Sequence, residues 1–106
     1  MSKRLVFQGS ALADLRDFPP MARREAGYQL DLVQNGLSPS DFKPMPAIGV
    51  GSFEIRIRDE AGAFRVIYVA KFADAVHVLH CFQKKTQRTT RSDLDVAAKR
   101  YREVER

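Results

Sequence analysis

The sequence predicts an α+β domain: a small, mostly antiparallel sheet with an N-terminal helical hairpin on one side and a C-terminal helix. Three observations carry that prediction. Phe64 to Phe72 and Ala75 to Phe82 are rich in Val, Ile, Phe and Tyr, and the Ala73-Asp74 pair between them fits a tight turn joining antiparallel strands. Phe53-Glu54-Ile55-Arg56-Ile57-Arg58 alternates strictly, as a half-exposed strand does. Apolar residues at helical spacing flank these strands, from Leu12 to Val33 before them and from Leu94 to Val104 after them. A length of 106 residues suits one core, so residues 1–106 are expected to form one domain.

In chain order, Leu5-Val6-Phe7 makes a short first strand. Ser10 is placed to cap a helix carrying Leu12, Leu15 and Phe18 on one face, and Pro19-Pro20 stops it. Pro20 suits the first turn of a second helix that runs to Asn35, with Gly36 free to take the left-handed conformation that ends it. Ala22, Ala26, Leu30 and Val33 form its stripe, which Met21, Tyr28 and Leu32 are expected to widen. Leu37 to Ala47 contains Pro39, Pro44 and Pro46 and is expected to be a loop. The alternating strand places Phe53, Ile55 and Ile57 on one face and Glu54, Arg56 and Arg58 on the other, and Asp59 to Gly62 turn the chain back. Ser92 is the expected cap of the last helix, Asp93 to about Val104, whose stripe is Leu94, Ala97, Ala98, Tyr101 and Val104.

The net charge is +5, and it is concentrated. Lys43 to Arg91 holds nine basic and four acidic residues, whereas the segments on either side are each balanced. The whole excess therefore belongs to the sheet and the loop after it, where Lys84-Lys85-Thr86-Gln87-Arg88 meets no acidic residue before Asp93. A local excess of Lys and Arg favours a polyanionic partner such as nucleic acid. No apolar run is long enough to span a membrane, and Leu5-Val6-Phe7 is too short for the core of a signal peptide, so the expected location is the cytoplasm.

Several chemistries are excluded. Gly49-Val50-Gly51 lacks the third glycine and the following helix of a phosphate loop. One cysteine and two histidines cannot supply a structural metal site, so neither metal nor cofactor is expected. Cys81 lies in an apolar strand and is expected to be a buried structural thiol. His77 and His80, three apart on a strand, should point to opposite faces, one of them inward. What remains suits a phosphodiester: Arg56, Arg58 and Arg65 on adjacent strands, with Lys84 and Lys85 at the end of the third. Guanidinium groups can hold the phosphate, and a lysine crowded by cations can exchange protons. The competing reading is a solvated basic rim without chemistry.

Five segments carry a resemblance to a known family. They are Arg23-Arg24 with Gly27-Tyr28-Gln29-Leu30, then Lys43-Pro44-Met45, Glu54-Ile55-Arg56, Phe64-Arg65-Val66-Ile67-Tyr68, and Phe82-Gln83-Lys84-Lys85-Thr86, the last two being the most specific. At these residues the sequence resembles the RelE/HigB-type toxins of bacterial type II toxin-antitoxin systems, in particular their phage-derived Gp49-like branch. The resemblance implies the α+β fold described above, ribosome-dependent and metal-independent cleavage of mRNA, and a tightly bound antitoxin, often with a helix-turn-helix. It assigns Arg65 to the transition-state phosphate and Arg56 to phosphate contact or proton transfer, and it puts Lys84 and Lys85, taken here as catalytic, in a segment of further catalytic or RNA-binding groups. Arg58, Lys71, Gln87, Arg88 and Arg91 are the expected RNA contacts. Some relatives use a tyrosine or histidine near the C-terminus, but Tyr101 lies in an amphipathic helix where a core role is at least as good a reading. The general base is thereby left open among Lys84, Lys85 and His80.

Two other functions fit the same resemblance. A ParE-like toxin shares the fold and inhibits DNA gyrase by binding, with no catalytic set. A decayed toxin would bind only its antitoxin. The clustering of Arg56, Arg65, Lys84 and Lys85 favours the enzyme, because a pure binder has no need of cations gathered on a sheet face.

Overall fold

The computed structural model describes residues 2–105. The elements run β1 (Arg4–Phe7), α1 (Ala11–Arg16), α2 (Pro20–Gln34), β2 (Phe42–Pro44), β3 (Ser52–Asp59), β4 (Gly62–Val69), β5 (Ala75–Lys84) and α3 (Arg91–Glu105). They form one sheet in the order β1-β5-β4-β3-β2. Only the β1–β5 pair is parallel, and the other three are antiparallel. This is the α+β class expected from the sequence.

Each face of the sheet has its own core. Ile55, Ile57, Phe64, Val66, Tyr68, Val76, Val78 and Cys81 pack beneath α1 and α2, against Leu15, Ala22, Ala26 and Leu30. Ile67, Val69 and Leu79 face the other way and meet Ala97 and Tyr101 of α3 together with Met45 and Ile48. A strand covered on both sides should be apolar almost throughout, and β4 is buried from Phe64 to Val69. Arg65 is the charged exception within that run.

The helices follow the sequence with local corrections. Pro20 opens α2, and Gly36, at φ 78°, ends it as the Leu37 N–H donates to the Leu32 carbonyl at 2.9 Å. Met21 and Tyr28 do not widen its buried stripe; they are 63% and 57% exposed. Ala22 and Ala26 let the helix lie close on the sheet, so the covered arc is narrow, and Gln29 occupies its margin. The Gln29 amide donates to Glu25 and Ser40 and accepts the Ser40 N–H at 2.7 Å, which ties α2 to the segment entering β2.

Neither expected serine cap forms. The Ser10 hydroxyl donates to Asp14 Oδ2 at 2.7 Å instead of accepting a backbone N–H. At α3 the cap is Thr90: its Oγ1 accepts the Asp93 N–H at 3.1 Å and donates to Asp93 Oδ2 at 2.7 Å. Ser92 is already inside the helix.

The strands also depart from expectation in three places. Phe42–Pro44, expected as loop, pairs with β3 as a short edge strand, where a proline is tolerated because its missing N–H faces no neighbour. β4 ends at Val69, so its connection to β5 is longer than the expected two-residue turn. β5 continues to Lys84 and contains a bulge: Ile67 lies opposite His80, but Tyr68 lies opposite Val78, leaving Leu79 as the extra residue.

Candidate active site

The register of the sheet assembles the cations in ranks on the face that carries α3. Arg56 lies directly opposite Arg65, which lies opposite Phe82. One rank toward α3, Lys43, Glu54, Ile67 and His80 are aligned across four strands. One rank outward, Arg58, Ala63 and Lys84 are aligned across three. Residues directly opposite in a ladder share a face, so Lys43, Arg56, Arg58, Arg65 and Lys84 point to the same side. Helix α3 covers the far part of this face through Ala97 and Tyr101, while Arg56, Lys43 and Lys84 are half-buried and Arg58 is exposed.

Within this basic surface is a carboxylate with no exposure. Glu54 is 0% exposed, its Oε1 lies 3.5 Å from Arg65 Nε, and its Oε2 accepts a hydrogen bond from Thr89 Oγ1 at 2.8 Å. Arg65 is itself 8% exposed, and its Nη1 donates to the Phe64 carbonyl at 3.0 Å. Burial lowers the Arg65 pKa; Glu54 opposes that, while Arg56 and Arg58 add to it. Arg56 is held more loosely, 3.9 Å from Asp41 at a half-exposed position. Desolvation, and then the charge of Arg65 with help from Lys43 and Arg56, lowers the pKa of Lys84. The arrangement can bind a phosphate through guanidinium groups and offers one amine shifted toward its neutral form.

Beside Lys84 a cleft of about 390 Å³ opens between residues 43–47 and the connection from β5 to α3. Gln87 and Arg88 line it together with Lys43, Lys84 and Thr89. Lys85 is exposed beyond the strand end, and Arg91, exposed at the start of α3, pairs with Asp95 at 3.2 Å. Lys71 is not brought to this group. It follows β4 at the opposite end from Ala63 and Lys84, and its Nζ donates to the Tyr101 hydroxyl at 3.0 Å.

Tyr101, His80 and Cys81 have structural settings. The Tyr101 hydroxyl donates to the Val50 carbonyl at 2.7 Å, and its ring fills the space where Gly49 has no side chain. His77 and His80 do not point to opposite faces: the Leu79 bulge resets the alternation, so both lie on the α3 side, opposite Val69 and Ile67. His80 Nε2 pairs with Asp93 Oδ1 at 2.8 Å, its ring stacks on Phe82, and its Nδ1 is buried, so neither nitrogen is presented to a ligand on this face. Burial pushes the Cys81 thiol up to about 12, leaving it unreactive near neutrality. Among the described residues no group of three His, Cys, Asp or Glu could hold a metal ion. No helix among them is long and apolar enough to cross a membrane.

Three site residues were given no site role from the sequence. Lys43 was noted only within the Lys43-Pro44-Met45 segment of the resemblance, in a proline-rich stretch expected as loop, and Thr89 reaches the site only through the folded connection. Glu54 was legible as sharing a face with Arg56, but not as buried. Its signal was a lone acid at the head of an otherwise cationic alternation.

Residues 13–102 match a family model described as phage-derived protein Gp49-like. Among solved structures, a double mutant of E. coli toxin RelE in the free state is similar at TM-score 0.67 and 16% identity, over 98% of this chain and 99% of that one. The toxin-antitoxin complex RelBE2 from Mycobacterium tuberculosis contains a chain similar at TM-score 0.53 and 22% identity, over 79% of this chain and 100% of that one. At these identities the likeness is one of fold. No curated protein sequence matches the chain.

Proposed function

The chain belongs to the phage-derived Gp49-like family and has the fold of toxin RelE, and on that basis we propose that it is the toxin of a type II toxin-antitoxin system. Its proposed activity is endonucleolytic cleavage of mRNA on the ribosome, by attack of a 2′-hydroxyl on the adjacent phosphate and without a metal. The observation that supports this reading is the pairing of half-exposed Arg56 with buried Arg65 on the α3 face of the sheet, with Lys84 one rank away.

In the proposed reaction the 2′-hydroxyl gives up its proton as its oxygen bonds to phosphorus. The bond to the 5′-oxygen breaks, and that oxygen takes up a proton, leaving a cyclic phosphate and a 5′-hydroxyl. Arg65, with one guanidinium edge turned to Glu54, and Arg56 stabilise the added negative charge on phosphate. Lys84 is the proton carrier, because its depressed pKa raises the fraction of neutral amine. Lys85, Arg58, Gln87, Arg88 and Arg91 guide the RNA strand. Lys71, occupied at Tyr101, is left out of its path. The proposed partners are mRNA in the decoding site and a cognate antitoxin, of the helix-turn-helix kind, that masks the basic face.

The experiment is to incubate the protein with ribosomes carrying a defined mRNA, with Arg56→Ala and Arg65→Lys alongside, and to map RNA ends. New ends at the decoding site that fade with either variant support the reading. A folded, growth-inhibiting protein that makes no ends would overturn it, and inhibition of DNA supercoiling by gyrase would then identify the ParE-like alternative.

A further inference from the structure

The helical side of the sheet holds a cavity that the proposed chemistry does not use. Phe42, Phe53 and Tyr68 stand on β2, β3 and β4 as one aromatic row: Phe42 meets Phe53 edge-on at 5.6 Å between ring centroids, and Phe53 stacks on Tyr68 at 5.8 Å. Between this row and the end of α2 lies a space of about 300 Å³, which Leu37 and Lys3 also line. Leu37 is 59% exposed there, a large apolar side chain without cover. Two hydrogen-bond donors face the same space. Tyr68 is 3% exposed, yet among the described residues its hydroxyl has no hydrogen-bond partner, which is uncommon for a buried tyrosine. Burial pushes its pKa up to about 12, so it stays protonated and can donate. Lys3 is fixed in place: its N–H donates to the Gln34 carbonyl at 2.8 Å, its carbonyl accepts from the Gln34 amide at 2.7 Å, and its Nζ donates to the Ala70 carbonyl at 2.6 Å. An ammonium has two further N–H donors, and among the described residues no carboxylate pairs with this one.

We propose that this cavity is a ligand site for a small planar aromatic carboxylate, whose ring packs against Phe42, Phe53 and Leu37 and whose two oxygens accept hydrogen bonds from the Tyr68 hydroxyl and the Lys3 ammonium. Each part of that ligand answers a part of the site. A row of rings favours another ring beside it, and covering Leu37 removes apolar surface from water. One cation and one neutral donor, with no acid among them, suit a single negative charge. An aliphatic chain would leave both donors unused, and a phosphate would gain nothing from the aromatic row. The volume lies at the small end of the range for ligand cavities, which admits a molecule of one or two rings. Tyr68 shares β4 with Arg65 but points to the helical side, so this site goes beyond the nuclease reading and does not depend on it.

The test compares 2-naphthoate with 2-naphthalenemethanol, which has the same rings and no charge, by titration followed through backbone amide resonances. The carboxylate is expected to bind about tenfold more tightly than the alcohol and to move the amides of Leu37, Ser38 and Phe53. Tyr68→Phe removes only a hydroxyl that no described residue uses, so the variant should fold like the wild type and bind naphthoate about fivefold more weakly, with the alcohol unaffected. Lys3→Met keeps the stem and removes the charge, and it should bring naphthoate down to the affinity of the alcohol. Equal affinity for the two molecules, or naphthoate binding unchanged in the folded Tyr68→Phe variant, would overturn the site. Shifts gathered at Lys43, Arg56 and Lys84 instead of Leu37 and Phe53 would also overturn it, because they would mark a general attraction of anions to the basic face.

Discussion

Arg65 Nε lies 3.5 Å from Glu54 Oε1, and the carboxylate it faces has no exposure to solvent. The residue proposed to hold the scissile phosphate is therefore also the ionic partner of a buried acid. Removing one member of such a pair leaves the other desolvated and uncompensated.

Arg65→Ala is accordingly expected to lower the free energy of unfolding by about 3 kcal/mol, in addition to abolishing cleavage. Glu54→Ala should be costly for the same reason, and the double variant should lose less than the two single losses together. Chemical denaturation of the three variants measures this. Strictly additive losses would show that the two groups are not coupled. Arg65→Lys keeps a cation beside Glu54 but loses the planar donor pair, so it separates catalysis from stability.

Lys84 predicts the form of the pH profile. Because its pKa is lowered, the neutral amine appears at lower pH than for an ordinary lysine, and in the proposed reaction a neutral amine accepts the 2′-hydroxyl proton. Single-turnover cleavage should rise with pH and level off below the usual lysine range. Lys84→Arg should remove that limb and slow cleavage about 100-fold. Salt weakens the repulsion from Arg65, Lys43 and Arg56, so it should move the limb upward. A wild-type rate that falls as pH rises would assign Lys84 to phosphate binding in its charged form.

Tyr101 separates a core role from a catalytic one. Its hydroxyl serves the Val50 carbonyl and Lys71, so Tyr101→Phe should cost about 1 kcal/mol of stability and leave the cleavage rate unchanged. Cleavage at saturating ribosome concentration and a denaturation curve on the same sample decide between them. A large drop in rate without loss of stability would place the hydroxyl in the reaction.

The cap of α3 gives a purely structural prediction. Thr90→Ala should destabilise the protein by about 1 kcal/mol, whereas Ser92→Ala, inside the helix, should have an effect near zero. Thermal unfolding of the two variants orders them directly. The reverse order would return the cap to Ser92.

The parts legible in the sequence were those fixed by periodicity. The alternation from Phe53 to Arg58 set the two faces of β3, and the spacing of Ala22, Ala26, Leu30 and Val33 set the buried side of α2. Alternation gives the side on which a residue points and not the depth to which it is covered, so Glu54 could be placed beside Arg56 but not recognised as enclosed. The prolines around Phe42 obscured an edge strand because an edge requires fewer N–H donors than an interior strand. Thr90 and Ser92 are both capable caps, and only the position of Asp93 relative to the first turn selects between them. The relation of His77 to His80 was misjudged for a different reason: parity counting assumes an uninterrupted ladder.

That interruption at Leu79 means that β5 is constrained by its residue count as well as by its residue types. Val76 and Val78 must face the helical hairpin while Lys84 faces away from it, and without an extra residue an even spacing would put all three on one side. Deletion of a single residue between Val78 and Cys81 would therefore force a choice. Either the apolar pair is expelled from its core, or the amine is carried to the side where no arginine awaits it. Drift in this chain can exchange side chains along β5 freely compared with gaining or losing one, and comparison of sequences that share this strand should find its length more strictly inherited than its letters.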